Sequence, residues 1–70
     1  MSSDIQITLN GEPFSVNSDA RLTALIDRLN LKRGRVAVEI NYEIVPKAQW
    51  NNVTLASGDI VEIVNFVGGG

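Results

Sequence analysis

The stretch IVEIVNF, residues 60–66, decides the fold. A strand with one wet face alternates apolar and polar residues, whereas this one is apolar almost throughout. Near-continuous apolar character belongs to a strand covered on both faces, so this strand lies in the middle of a sheet. Glu62 and Asn65 interrupt the run on opposite faces. With Val61 and Ile63 turned to the core, Ile60, Val64 and Phe66 point the other way. The chain has nothing left to cover them, and an exposed apolar patch of this kind marks a partner surface. The facing of Phe66 depends on the register of this strand, because a slip of one residue reverses every side chain.

Upstream, the chain supplies the neighbours that such a strand needs. Ile5, Ile7 and Leu9 alternate with Gln6 and Thr8, the period of a half-buried strand. Asn10-Gly11 follows, the strongest short hairpin signal, because both central residues of that turn take positive φ. Phe14 and Val16 continue the alternation, and Pro13 suits an edge position. Asn17-Ser18-Asp19 offers side-chain oxygens for a helix start. Leu22, Leu25, Ile26 and Leu29 then form one apolar stripe at helical spacing. The spacing predicts a helix of about ten residues. It is closed by Lys32 and Arg33, which favour the negative helix end, and by Gly34 as a left-handed cap.

Val36, Val38 and Ile40 alternate with Ala37 and Glu39 as a third strand. Asn41-Tyr42-Glu43 reads as a turn, with Tyr42 bulky for that place. Ile44-Val45 is a short strand stopped by Pro46, and residues 46–50 form a single helical turn. Ser57-Gly58-Asp59 turns the chain into the last strand. A hairpin, one crossing helix and a later strand pair make an α+β chain of the β-grasp type, with a mixed sheet of four to five strands on one main helix. The expected organisation is one domain over residues 1–66 and a flexible glycine tail over 67–70.

Composition excludes several classes of function. The chain has 70 residues, 44% of them hydrophobic, which is enough for one core. It has no Cys and no His, which removes disulfides, thiolate nucleophiles, imidazole bases and the usual zinc ligands. Its acidic residues suggest neither a catalytic carboxylate pair nor a calcium loop. A stand-alone enzyme lacks its usual players here. A net charge of −2 is too mild for a nucleic-acid binder. No signal peptide and no apolar run of about eighteen residues is read, so a cytoplasmic protein without membrane or metal is expected.

The tail Val67-Gly68-Gly69-Gly70 is the second informative stretch. Glycine loses more freedom on ordering than any other residue and has nothing to pack. A tail without side chains can, however, enter a narrow channel of another protein. Residues 65–70 reach roughly 20 Å when extended. The tail therefore reads as a substrate arm whose α-carboxylate, on Gly70, is the reacting group.

These features together resemble the ThiS sulfur carriers of thiamin biosynthesis, small ubiquitin-like proteins. The resemblance covers essentially the whole chain. It rests on Asn10-Gly11-Glu12, on Leu22-x-x-Leu25-Ile26-x-x-Leu29, on VEINYEIVPKAQW from Val38 to Trp50, and on SGDIVEIVNFVGGG at the end. It implies that an E1-like, ThiF-type enzyme adenylates the Gly70 carboxylate with ATP. Sulfur from a cysteine desulfurase or another donor then gives a thiocarboxylate, which a ThiG-type thiazole synthase uses. Gly69, Gly68 and Val67 would be recognised by those enzymes, and Phe66, Val64 and Ile60 would form the docking surface. The carrier would bind no cofactor and would be a monomer when alone. The alternatives are the small subunit of molybdopterin synthase, with the same ending, and a non-carrier ubiquitin-like interaction domain. Trp50 reads as packing at the edge of the core, Lys32-Arg33-x-Arg35 as a solvated helix end, and the sequon Asn52-Val53-Thr54 as a chance match.

Overall fold

The computed structural model describes residues 4–65. The expected boundary between residues 66 and 67, and with it the tail, lies outside the described residues. Five strands form one sheet: β1 (Asp4–Leu9), β2 (Glu12–Asn17), β3 (Val36–Ile40), β4 (Glu43–Ile44) and β5 (Ile60–Asn65). Their order is β2-β1-β5-β3-β4, so the last strand is the central one, as its apolar run requires. β1 and β5 are parallel, and every other neighbouring pair is antiparallel. One helix, α1 (Leu22–Arg28), crosses one face. The core beneath it is built from Ile7, Val16, Leu22, Leu25, Ile26, Val36, Val38, Trp50, Leu55 and Val61. All four helix-stripe leucines and isoleucines contribute, with Leu29 half-buried against the rest. This is the β-grasp arrangement.

The helix departs from its expected limits at both ends, and each departure has a tertiary cause. No side chain caps its start. Arg21 is extended and bridges Thr54, while Leu22 N–H donates to the Val53 carbonyl at 2.9 Å. Leu55 N–H donates in turn to the Ala20 carbonyl at 2.9 Å. An amide that a helix start would leave unpaired is thus satisfied by a distant stretch of backbone rather than by a polar side chain. At the other end Asn30, at φ 58°, takes the left-handed position that Gly34 was expected to fill. Leu31 N–H reaches back to the Ile26 carbonyl at 3.3 Å, the long bond of a Schellman closure. Asn30 tolerates that conformation, and the following Leu31 packs against the core. The helix is therefore seven residues long. Arg33–Arg35 form a separate 3-10 turn, in which Gly34 is not left-handed.

Trp50 also departs from expectation. It sits on a 3-10 segment, Lys47–Asn52, and is only 2% exposed, a full member of the core rather than an edge residue. Its Nε1–H donates to the Val45 carbonyl at 3.0 Å, which removes the cost of burying the one polar atom of the ring.

The turn between β3 and β4 is tighter than expected, since Glu43 already belongs to β4. Asn41 and Tyr42 alone make it, at φ 52° and 71°. Two positive φ values define the mirror-image turn that suits a right-twisted hairpin, and glycine is favoured in its second position. Tyr42 sits there with 72% of its surface exposed. Tyr42→Gly is accordingly expected to raise stability by about 0.5–1 kcal/mol, the left-handed penalty less the entropy glycine adds to the unfolded chain. Urea denaturation measures this. A lower midpoint would show that the exposed ring contributes packing the backbone strain does not reveal.

Candidate functional site

The pleat turns alternate residues of each strand away from α1, and the register fixes which of them meet. One row of that outer face runs Thr8, Ile60, with Asn41 beyond the end of β3. The next runs Glu62, Glu39, Ile44. The third pairs Val64 with Ala37. Ile60 is half-buried, whereas Val64 is 57% and Ile44 73% exposed. The sequence-based facing of β5 is therefore observed for Ile60 and Val64. Val61 is fully buried and Ile63 packs against the core, on the side opposite them. Phe66, Val67, Gly68, Gly69 and Gly70 lie outside the described residues.

Ile44 is a residue of this surface that the sequence did not single out. Its signal was present: a large aliphatic residue two positions before the stop at Pro46. Its facing became visible only through the pairing of Glu39 with Ile44.

Glu39 and Glu62 are direct cross-strand partners on the outer face. Like charges placed opposite each other in an antiparallel pair are destabilising, on a scale of roughly 0.2–1 kcal/mol. Among the described residues neither glutamate takes part in an ion pair. The one ion pair among the described residues joins Arg33 to Asp27 on the helix side, at 2.7 Å.

β5 is also clamped by two turn asparagines, one from each flanking hairpin. Asn10, at φ 49°, accepts from Ile63 N–H through its side-chain oxygen at 2.8 Å, and its own N–H donates to the Val61 carbonyl at 2.9 Å. Asn41 accepts from Ile60 N–H at 3.0 Å and donates through Nδ2 to Asp59 at 3.1 Å. β1 pairs with β5 over only Thr8-Leu9 and Ile60-Val61. The Asn10 side chain prolongs that ladder by one bond, towards the end where β5 leads into the tail. Sequence reading gave Asn10 only its turn role. Asn10→Gly keeps the backbone conformation and loses the side-chain bond, so about 1 kcal/mol is expected to be lost. Asn10→Ala adds left-handed strain and should lose roughly 1 kcal/mol more. Equal stability of the glycine variant and the natural chain, by thermal unfolding, would remove the clamp.

A two-faced sheet, its central strand bare on one side and running towards a glycine tail, is what a small carrier needs. The sequence profile of the ThiS family matches residues 7–70. The chain belongs to the ThiS family. This ThiS chain is 37% identical to the sulfur carrier protein ThiS of Bacillus subtilis, over 91% of its own length and 98% of that protein's. It is 39% identical to a segment of the thiazole synthase of Paramagnetospirillum magneticum, over 94% of its own length but only 20% of the synthase's. The chain thus spans about a fifth of the thiazole synthases that it matches. The crystal structure of the thiamine biosynthesis protein ThiS from Geobacter metallireducens superposes with a TM-score of 0.81 at 32% identity, covering 94% of this chain and all of that one. As a ThiS protein, it is a substrate-like sulfur carrier of thiamin biosynthesis. Among the described residues, no helix is long and apolar enough to cross a membrane.

Proposed function

We propose that the chain carries sulfur on its own backbone, as a thiocarboxylate at Gly70. A ThiF-type enzyme uses ATP to join the Gly70 carboxylate to AMP, releasing pyrophosphate. The resulting mixed anhydride has a good leaving group. The terminal sulfur of a persulfide, supplied from cysteine by a desulfurase or from another donor, attacks the carbonyl carbon and AMP departs. A thiol then cleaves the sulfur–sulfur bond, leaving the thiocarboxylate. A ThiG-type synthase takes that sulfur into the thiazole of thiamin, and the carboxylate returns. Because the sulfur replaces an oxygen of the terminus, a chain without Cys suffices. The carrier catalyses no step and binds no cofactor. It works in the cytoplasm, where ATP and its partner enzymes are available, and is a monomer between encounters.

The observation that carries this reading is the bare outer face of β5. Ile60 and Val64 lie on it, with Phe66 next in the alternation, and it adjoins the tail recognised through Val67, Gly68 and Gly69. A partner that seats on this face is positioned to draw the following residues into its own site. The test is to incubate the chain with a ThiF-type enzyme, ATP, a desulfurase and cysteine, and to weigh it intact. A mass gain equal to one oxygen replaced by sulfur, mapped to Gly70, is expected. An unchanged mass, with the enzyme active on another carrier, would overturn the reading.

A further inference from the structure

The two edges of the sheet are built differently. β4 is two residues long, so it offers an incoming strand little to pair with. β2 has six residues. The two-residue turn at Asn10-Gly11 makes Leu9 and Glu12 a hydrogen-bonded pair, so Phe14 and Val16 also bond inwards to β1. Pro13, Ser15 and Asn17 then turn their backbone groups to the open side. Their neighbours on β1 agree with this. Thr8 and Gln6, opposite Pro13 and Ser15, bond away from β2: Thr8 N–H donates to the Asp59 carbonyl, and the Gln6 carbonyl accepts from Gly58 N–H, both at 2.9 Å.

Each of the three outward positions is blocked, and each in its own way. Pro13 has no N–H to donate. The Ser15 carbonyl accepts from Arg28 Nη1 at 2.9 Å. The Asn17 carbonyl accepts from Ala20 N–H at 3.0 Å, where the chain turns towards the helix. Arg28 is the last residue of α1, and its guanidinium lies over the Phe14 ring, 4.7 Å from the centroid. The ring and the negative helix end both attract a cation, which holds this side chain across the edge. A shallow groove runs between β2 and α1, with Val16, Ala20, Ala24, Leu25 and Arg28 in its walls. An added strand would find apolar footing there, so without the three blocks this edge would be a ready template.

We propose that β2 is a guarded edge, at which Pro13, Arg28 and the Asn17–Ala20 turn keep a second copy of this chain from extending the sheet. Two β2 strands paired antiparallel would be the self-complementary arrangement of a twofold dimer. Such pairing draws on the N–H and C=O groups of Pro13, Ser15 and Asn17 in both copies. In each copy one of those N–H groups does not exist and two of the carbonyls are engaged. The other face of the sheet makes the guard necessary. Val64 and Ile44 are exposed there, so a sheet of doubled width would also double its bare aliphatic surface and favour further association. Arg28 is the decisive part of the guard, because it reaches the edge from a different element and a single substitution removes it.

The experiment compares the full natural chain with Pro13→Thr, Arg28→Ala and the double variant. Pro13→Thr restores an N–H at the edge, and Arg28→Ala frees the Ser15 carbonyl without adding apolar bulk. Sedimentation velocity over a concentration series reports association. Hydrogen exchange on the same samples reports where backbone bonds form, and circular dichroism reports the fold. The natural chain should stay monomeric over the series. The double variant should associate at concentrations roughly tenfold or more below any at which the natural chain does, with the single variants between. Amides of residues 13–17 should exchange more slowly as the double variant is concentrated. Loss of Arg28 removes a positive charge from a chain of net charge −2, which by itself opposes association, so charge does not mimic the effect. A folded double variant that remains monomeric over the natural range would overturn the proposal. Association that leaves exchange in β2 unchanged would do the same, since the copies would then meet through another surface. If the double variant does not fold, Arg28→Ala alone decides by the same two readouts.

Discussion

A chain that ends at Gly68, lacking Gly69 and Gly70, forms no thiocarboxylate when given a ThiF-type enzyme, ATP and a sulfur source. This is the largest functional effect expected of so small a change. Without its last two residues the arm is shorter by roughly 7 Å, so the carboxyl carbon cannot occupy the same place in the activating site. A displacement of even about 1 Å can cost a hundredfold in rate, so a shift of several ångströms abolishes the reaction. The fold should not notice, because the buried core runs from Ile7 to Val61 and the removed residues have no side chains to pack. Intact mass after incubation reports the chemistry, and thermal unfolding reports the fold. In a strain dependent on this carrier, growth without thiamin should cease. Normal growth on the shortened chain would mean that sulfur is not carried at Gly70. A matching fall in stability would mean that the tail is part of the folded domain.

The largest structural effect is expected at Trp50. It is the only tryptophan of the chain and one of the largest fully buried side chains. Trp50→Ala should cost about 3–5 kcal/mol, from lost transfer energy and the cavity left behind. Domains of this size are held by a total not far above that, so the variant should be largely unfolded at 37 °C. Circular dichroism during urea or thermal unfolding is the measurement, since the variant has no tryptophan fluorescence. Trp50→Phe separates the two contributions. It retains much of the packing but leaves the Val45 carbonyl without its donor, so it should lose much less than the alanine variant. An alanine variant within about 1 kcal/mol of the natural chain would show that the 3-10 segment can collapse into the space.

Much of this protein is legible along the chain because its signals are local. The apolar run at residues 60–66 announced a central strand, and the order β2-β1-β5-β3-β4 places it there. Asn10-Gly11 announced the first hairpin, and the stripe from Leu22 to Leu29 announced the helix that covers one face. The alternation in β5 also told Ile60 and Val64 from Val61 and Ile63, since the two-residue period of a strand needs no knowledge of its neighbours. The carrier family followed from the segments around these elements and from the glycine ending.

What the tertiary structure decided are the relations between residues far apart in sequence. The helix begins at Leu22 because its first amide is paired with Val53, a partner no local pattern names. It is closed by Asn30 rather than Gly34 because Leu31 finds the core there. Asn10 and Asn41 looked like turn residues, and their second role as clamps on β5 depends on side chains crossing to Ile63 and Ile60. Glu39 and Glu62 read separately as ordinary polar positions of two strands. Only the antiparallel register between β3 and β5 sets them side by side, with Ile44 completing the row. Period and propensity act over a few residues, whereas register is chosen by the whole sheet closing over one core. The fold could therefore be read from the chain, while the charge pattern of the outer sheet face could be read only after folding had brought the strands together.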